Sequence, residues 1–183
     1  MDYGHLPDKA TLILSENEIS QRVRALGSLI SFDYHSVLKK DDLLLVIGVL
    51  NGAFVFMADL IREMSVALEV DFVRLSSYSD SKTSSSQVVM LKGLEREIKD
   101  RHVLVVEDIA DCGLTLAWFV DHLKSRQPAS IKLAVAFDKK SRRQIDLNLD
   151  YVGFELDEGF LVGYGLDAAR RYRELKGIYS IED

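Results

Sequence analysis

The stretch Val103-Leu-Val-Val-Glu-Asp-Ile-Ala-Asp-Cys-Gly-Leu-Thr115 constrains the fold more than any other part of the chain. Four apolar residues run into the adjacent acids Glu107 and Asp108. A third acid, Asp111, follows, then Cys112, Gly113, Leu114, Thr115 and an amphipathic stretch. The pattern predicts a buried strand over 103–108 that delivers carboxylates to its carboxyl end. A tight turn at Gly113 and a helix over 114–125 follow. Ligands of parallel α/β sheets bind at that edge, and N–H groups at such a turn and helix start suit a phosphate group. Acids beside a phosphate cradle need something between them, and a magnesium ion or ribose hydroxyls would serve. The plain alternative is a set of surface acids at a strand end, with Asp111 as a helix cap.

The rest of the chain alternates in the same way. Ser15 and Glu18 have capping-box spacing, and Ile19, Val23, Leu26, Leu29 and Ile30 recur at helical spacing, which predicts a helix over 16–32. Asp42–Val49 reads as a strand that ends at Leu50-Asn51-Gly52, and helical periodicity resumes over 54–62. Further strands are predicted over 68–76, 88–91, 131–137 and 151–154, with Pro128 ending the helix before the third of these. Residues 77–86 are polar and Ser-rich, the composition of a loop, and their length suits a lid. Apolar strands alternating with helices imply a mostly parallel, twisted sheet covered on both faces. The residues after Glu155 break this rhythm. They are expected to form a small lobe with the N-terminal segment.

Length and charge narrow the function classes. The chain has 183 residues, 48% of them hydrophobic and 28% charged, which suits one domain with a sizeable core. Its formal net charge of −6 argues against nucleic acid or a membrane surface as the main partner. A single cysteine excludes an intrachain disulfide and fits a reducing compartment. The start of the chain lacks a signal-peptide pattern and no apolar run reaches the roughly 18 residues of a membrane span. A cytoplasmic protein is expected.

The acid motif, with its Asp-x-Gly-x-Thr ending, resembles the phosphoribosyl-diphosphate-binding motif of the type I phosphoribosyltransferases. The segment Asp150–Asp167 with Arg170–Leu175 resembles the C-terminal signature of the hypoxanthine(-guanine) members. Leu50-Asn51-Gly52 is similar to their diphosphate-contacting turn, and Ser77-Tyr78 to the start of their mobile catalytic loop. The resemblance covers nearly the whole chain. It implies a type I phosphoribosyltransferase fold as a single domain over 1–183. The small hood lobe would come from about 1–14 and 155–183, and the mobile loop would span about 77–88.

The resemblance also implies roles. Glu107 and Asp108 would hold the ribose hydroxyls, and Asp111, Cys112, Gly113, Leu114 and Thr115 the 5′-phosphate. Asp111 would be the general base at the purine ring nitrogen. Lys139 would donate to the six-position oxygen of the base, Phe160 would stack on the purine and Leu161 would offer its backbone to the ring edge. Leu50, Asn51, Gly52 and Arg173 would face diphosphate. Asp167, with Glu107 and Asp108, would help hold Mg²⁺, an ion that prefers diphosphate oxygens, a few carboxylates and retained water. The substrates would be small molecules, a purine base and phosphoribosyl diphosphate, and the assembly a homodimer or homotetramer.

Taken singly, these residues have plainer readings. Phe160 reads as core and Arg173 as a helix-surface residue. Lys139 belongs to a basic cluster with Lys140, Arg142 and Arg143, which reads as a solvated face or an anion patch. Two other functions stay open: a xanthine- or guanine-preferring enzyme, and a non-catalytic regulator of the same fold that binds phosphoribosyl diphosphate.

The chain departs from the family pattern in places. Cys112 stands where Thr or Ser is common, so one hydroxyl donor to the phosphate is replaced by a weak thiol. Asn51 stands where some relatives have Lys or Arg, Asp157 where Pro is common, and Ala168 where Tyr is frequent. Gly163-Tyr-Gly-Leu-Asp-Ala168 fits a dinucleotide-binding pattern, but lies too near the C-terminus for a βαβ unit to follow it.

Overall fold

The computed structural model describes residues 10–79, 86–156 and 159–181. Strand β1 (Ala10–Leu14) leads into helix α1 (Glu16–His35). The expected capping box starts this helix: Ser15 Oγ accepts from the Glu18 N–H, and the Glu18 carboxylate accepts from the Ser15 N–H at 2.8 Å. Ile19, Val23, Leu26, Ile30 and Tyr34 form its buried stripe. Tyr34 continues the stripe past the predicted end at 32, so the helix runs to His35.

Strand β2 (Leu44–Leu50), helix α2 (Phe54–Arg62), β3 (Leu68–Ser79), β4 (Ser86–Lys92), β5 (His102–Ala110), helix α3 (Leu114–Lys124), β6 (Ser130–Asp138) and β7 (Tyr151–Glu155) follow. They build a six-stranded sheet in the order β4-β3-β2-β5-β6-β7, parallel except for the edge strand β4. Side chains of its central strands alternate between two buried faces, as a sheet covered on both sides requires. Leu44 and Val46 of β2, with Leu104 and Val106 of β5, meet α1 and α2. Leu45, Ile47, Val49, Val103 and Val105 meet Leu116, Phe119 and Leu123 of α3. The final strands, β8 (Phe160–Val162) and β9 (Ile178–Ile181), join β1 in a separate antiparallel sheet of order β1-β9-β8. The first described strand therefore shares a sheet with the last two, apart from the six-stranded one.

Two boundaries differ from expectation in ways that matter for the site. Strand β5 does not stop at 108. It stays paired with β6 through Ala110, opposite Asp138, so Glu107 and Asp108 lie within the strand. The Ser-rich segment is also partly strand, with Ser77 opposite Val88, Tyr78 opposite Gln87 and Ser79 opposite Ser86. The rest of the expected loop, residues 80–85, lies outside the described residues, as does Asp157.

Strand order reverses between β2 and β5. From β2 the chain builds outward to β3, then returns to β5 on the other side and continues to β6 and β7. This is a topological switch point, where crevices open at the carboxyl ends of parallel strands. Pairing of β2 with β5 ends at Gly48 and Val106, while β2 stays with β3 to Leu50. The two strands diverge just where the acids begin.

Buried Asp71 on β3 secures the crossover from β4 to β5. Its carboxylate accepts from the N–H groups of Phe72, Glu95 and Arg96 at 2.7–3.0 Å and lies 3.6 Å from the Lys92 ammonium. Burial opposes its charge, but these donors prevail and hold its carboxyl below the usual carboxylate range. Because the folded value is lowered, its stabilising contribution is complete above about pH 4 and is lost as pH falls through the folded value. Asp71→Ala should therefore cost about 2–4 kcal/mol at neutral pH, measured by urea unfolding. The difference from the wild type should shrink in acid. A loss below about 0.5 kcal/mol, the range of ordinary surface substitutions, would contradict this account.

Candidate active site

At the switch point three chain segments meet with almost no side chain between them. A Cβ on Gly52, in the turn after β2, would lie 1.4 Å from Asp108 Oδ2. A Cβ on Gly165, at φ +98°, would lie 2.3 Å from the Gly52 carbonyl oxygen. Only glycine permits both contacts. The turn Leu50-Asn51-Gly52 is thus held between the β5 acids and the loop between β8 and β9. The Leu50–Asn51 peptide is cis. Asn51 is exposed, Gly52 buried.

Glu107 and Asp108 stand side by side and half-buried at this junction. The Asp108 N–H donates to Glu107 Oε1 at 3.1 Å, and the Ile109 N–H to Asp108 Oδ1 at 2.8 Å. Burial, and then the neighbouring Asp108 charge, push the Glu107 carboxyl well above the usual range. A ligand that brings hydroxyl donors or a cation relieves this concentration of charge.

The next residues turn sharply into α3. Gly113 is the helix N-cap at φ +84°, a conformation that suits glycine. Glu107, Ile109, Ala110, Asp111, Cys112, Gly113, Thr115 and Leu116 line a cavity of about 110 Å³. The positive end of α3 opens into this turn, so the place combines a helix N-terminus, a small cavity and flanking carboxylates. Cys112 is partly exposed beside the cavity.

Lys139 follows β6 directly. Its N–H donates to the Ala110 carbonyl at 2.9 Å and its Nζ to the Gly159 carbonyl at 2.7 Å. Lys139 is therefore tied both to the acid-strand turn and to the residue before Phe160. Phe160 is 50% exposed and adjoins the buried Leu161. Its reading as core is overturned: a large aromatic ring at the end of a short strand remains open to a ligand.

Arg173 does not lie on a helix. It sits in the irregular loop between β8 and β9, where it donates to the Gly165 carbonyl at 2.5 Å and pairs with Asp167 Oδ1 at 2.6 Å. Asp167 Oδ2 accepts from the Arg170 N–H at 2.7 Å. Ala169, Arg170 and Tyr172 in this loop have φ of 51°, 69° and 77°, values costly for non-glycine residues and concentrated at functional sites. Gly163–Ala168 forms a tight turn bridged between Gly163 and Leu166 and feeds no helix, which disposes of the dinucleotide pattern.

The structure thus gathers Gly52, Asp108, Ala110, Lys139, Gly159, Gly165, Asp167 and Arg173 through direct contacts, although they span most of the chain. Ser77 and Tyr78 lie at the far end of β3, and their backbones pair with β4. Sequence reasoning missed Asp138 and Arg143. Asp138 is 4% exposed, and its carboxylate forms a short pair with Arg143, whose side chain is 16% exposed. Arg143 therefore leaves the solvated basic cluster to which its neighbours had assigned it. An acid closing the apolar run Ala134-Val-Ala-Phe137 repeats the pattern of Glu107, and that was the available signal.

Comparison with known proteins identifies the family. Residues 13–169 match the model of the phosphoribosyl transferase domain. The chain is 44% identical over 168 residues to the hypoxanthine-guanine phosphoribosyltransferase of Bacillus subtilis (strain 168), covering 92% of this chain and 91% of that one. It is 42% identical over 164 residues to the hypoxanthine phosphoribosyltransferase of Haemophilus influenzae, covering 90% of each. A solved structure of Trypanosoma cruzi hypoxanthine phosphoribosyl transferase superposes with a TM-score of 0.90 at 36% identity, covering 97% of this chain and 94% of that one. The chain belongs to the phosphoribosyltransferase family, among its hypoxanthine(-guanine) phosphoribosyltransferases.

Proposed function

We propose that this chain, acting as a single phosphoribosyltransferase domain, joins hypoxanthine to the ribose 5-phosphate of phosphoribosyl diphosphate, with guanine as a further substrate. The products are IMP or GMP and diphosphate. The observation that carries the reading is the convergence of the acid strand, the N–H turn before α3, Lys139 and the open Phe160 ring at one switch point. Its test is turnover by the purified protein with hypoxanthine, phosphoribosyl diphosphate and Mg²⁺, with guanine and xanthine in competition. No nucleotide formed from any oxopurine would contradict it. The family's named relatives are enzymes, which does not favour the regulator reading.

In this mechanism the bond from ribose C1 to diphosphate breaks and a bond from C1 to a purine ring nitrogen forms. The transition state carries positive charge on the sugar, so catalysis rests on electrostatics and positioning. Glu107 and Asp108 accept from the ribose hydroxyls. The turn from Asp111 through Thr115 holds the 5′-phosphate, with N–H groups and the Thr115 hydroxyl as donors. Asp111 takes the proton that the ring nitrogen loses.

Lys139 has three N–H donors. One goes to Gly159, which leaves others for the carbonyl oxygen of the purine. Phe160 stacks on the base, and the Leu161 backbone meets its edge. Leu50, Asn51 and Gly52 contact diphosphate, and Arg173 offsets its charge. Ser77 and Tyr78 lie near the carboxyl end of β3, and residues 80–85 that follow lie outside the described residues.

Mg²⁺ belongs to the same proposal. Both oxygens of Asp167 already have donors, from Arg173 and from the Arg170 N–H. Among the described residues no three metal-ligating side chains converge into a cage. That donor set fits an ion held by substrate oxygens and water with a few carboxylates at the margin, namely Asp167, Glu107 and Asp108. When bound, the ion would neutralise charge on the departing diphosphate. Among the described residues no helix is long and apolar enough to cross a membrane. A cytoplasmic homodimer or homotetramer, without nucleic-acid or membrane partners, completes the proposal by its relation to the family.

Two substitutions probe the assigned roles. Asp111→Asn should keep nucleotide binding while kcat falls by about 10²-fold or more, the scale of a positioned base. An unchanged rate and pH profile would contradict proton transfer by Asp111. Cys112→Thr should restore a hydroxyl donor at the phosphate. It should lower KM for phosphoribosyl diphosphate by about fivefold, the equivalent of one net hydrogen bond. Unchanged or weaker binding would mean that the turn's N–H groups already satisfy the phosphate.

A further inference from the structure

We infer that Arg143, fixed by the buried Asp138, is the positioning residue that aims the phosphate-binding N–H groups, and that it couples the purine-contacting segment to the phosphate turn. The inference rests on the function proposed above, to which it adds a residue and a mechanism.

In a trans peptide unit the C=O of one residue and the N–H of the next point to opposite sides. Fixing the carbonyl therefore fixes the direction of the following N–H. Three consecutive carbonyls of the turn are fixed in this way. The Ala110 oxygen accepts from the Lys139 N–H at 2.9 Å and from Arg143 Nη2 at 3.2 Å. The Asp111 oxygen accepts from Arg143 Nε at 3.0 Å. The Cys112 oxygen accepts from the Gln144 N–H at 3.0 Å. All these donors come from one side, the segment that follows β6. The N–H groups of Asp111, Cys112 and Gly113 are thereby turned away from that segment, the orientation that a phosphate cradle needs.

A guanidinium suits the task. Its planar fork presents several donors at fixed angles, so one side chain spans two successive carbonyls and the Asp138 carboxylate together. Lysine, a flexible point donor, lacks the fixed planar fork that holds all three in one geometry. The fit is also steric: a Cβ on Gly113 would lie 3.1 Å from Arg143 Cδ, so the turn lies directly against the arginine stem. Asp138 itself belongs to β6, opposite Ala110 in register, and its carbonyl accepts from the Leu156 N–H at 2.9 Å. Lys139 is the adjoining residue. The short run 138–144 therefore contains the donor to the purine, the lock on the phosphate turn and the anchor of both.

The test compares IMP with inosine, which lacks only the 5′-phosphate, by calorimetry on the wild type, Arg143→Lys and Arg143→Ala, with melting temperatures recorded. The wild type should prefer IMP strongly. In Arg143→Lys, IMP affinity should fall about tenfold or more while inosine affinity holds within about twofold, the scale expected when one or two charge-assisted contacts stop ordering the turn. KM for phosphoribosyl diphosphate should rise more than kcat falls. Dilute methylguanidinium, but not methylammonium, should partly restore activity to Arg143→Ala.

If the wild type shows no preference for IMP over inosine, the functional reading fails. If the wild type prefers IMP and Arg143→Lys keeps that preference undiminished, the positioning role fails. Equal losses for IMP and inosine, or loss of folding in both variants, would likewise overturn it, because Arg143 would then be a purely structural residue.

Discussion

The close approach of Asp108 to Gly52 is the contact on which the rest of the site depends. It exists because position 52 has no side chain: a Cβ there would fall 1.4 Å from a carboxylate oxygen. Gly165 repeats the condition from the other direction against the Gly52 carbonyl. Through these two positions the turn after β2, the end of β5 and the loop before β9 reach one point. The parallel sheet supplies the opening, since β2 and β5 separate after Gly48 and Val106. Glycine then allows backbone to fill it closely, so that segments from distant parts of the chain meet at one point.

Electrostatics explains how so acidic a chain could present an anion-binding turn, as proposed. Most of the carboxylates near the cavity are grouped or paired. Glu107 and Asp108 stand together on one strand, where burial and proximity raise the Glu107 carboxyl. Asp138 is matched by Arg143, and Asp167 by Arg173. The turn's own positive character comes from N–H groups and the start of α3, not from side chains. The Asp138–Arg143 pair holds the carbonyls of Ala110 and Asp111 behind the turn, so in the proposed function a buried acid would serve the anion site indirectly.

Much of this was legible in the sequence, for identifiable reasons. The capping box at Ser15 and Glu18, the apolar runs before Leu50 and Glu107, and Gly113 before a helical stretch are local signals, and the corresponding elements form. Failures came where a distant partner decides. Strand β5 continues to Ala110 because β6 offers Asp138 as a partner there. The Ser-rich segment contributes to strands because β3 and β4 pair with each other despite polar side chains. Phe160 is apolar yet open, and Arg143 is basic yet covered. Composition could not separate either from its opposite, since the outcome depends on Gly159, Asp138 and the carbonyls of 110 and 111.

The most direct test is a crystal structure of the protein with IMP. The account predicts the phosphate within hydrogen-bond distance of the N–H groups from Asp111 to Thr115. The ribose hydroxyls should meet Glu107 and Asp108, and the purine should lie against Phe160 with its oxygen toward Lys139. A phosphate bound elsewhere, for instance on the exposed Arg170 and Arg171, with the turn before α3 unengaged, would contradict it.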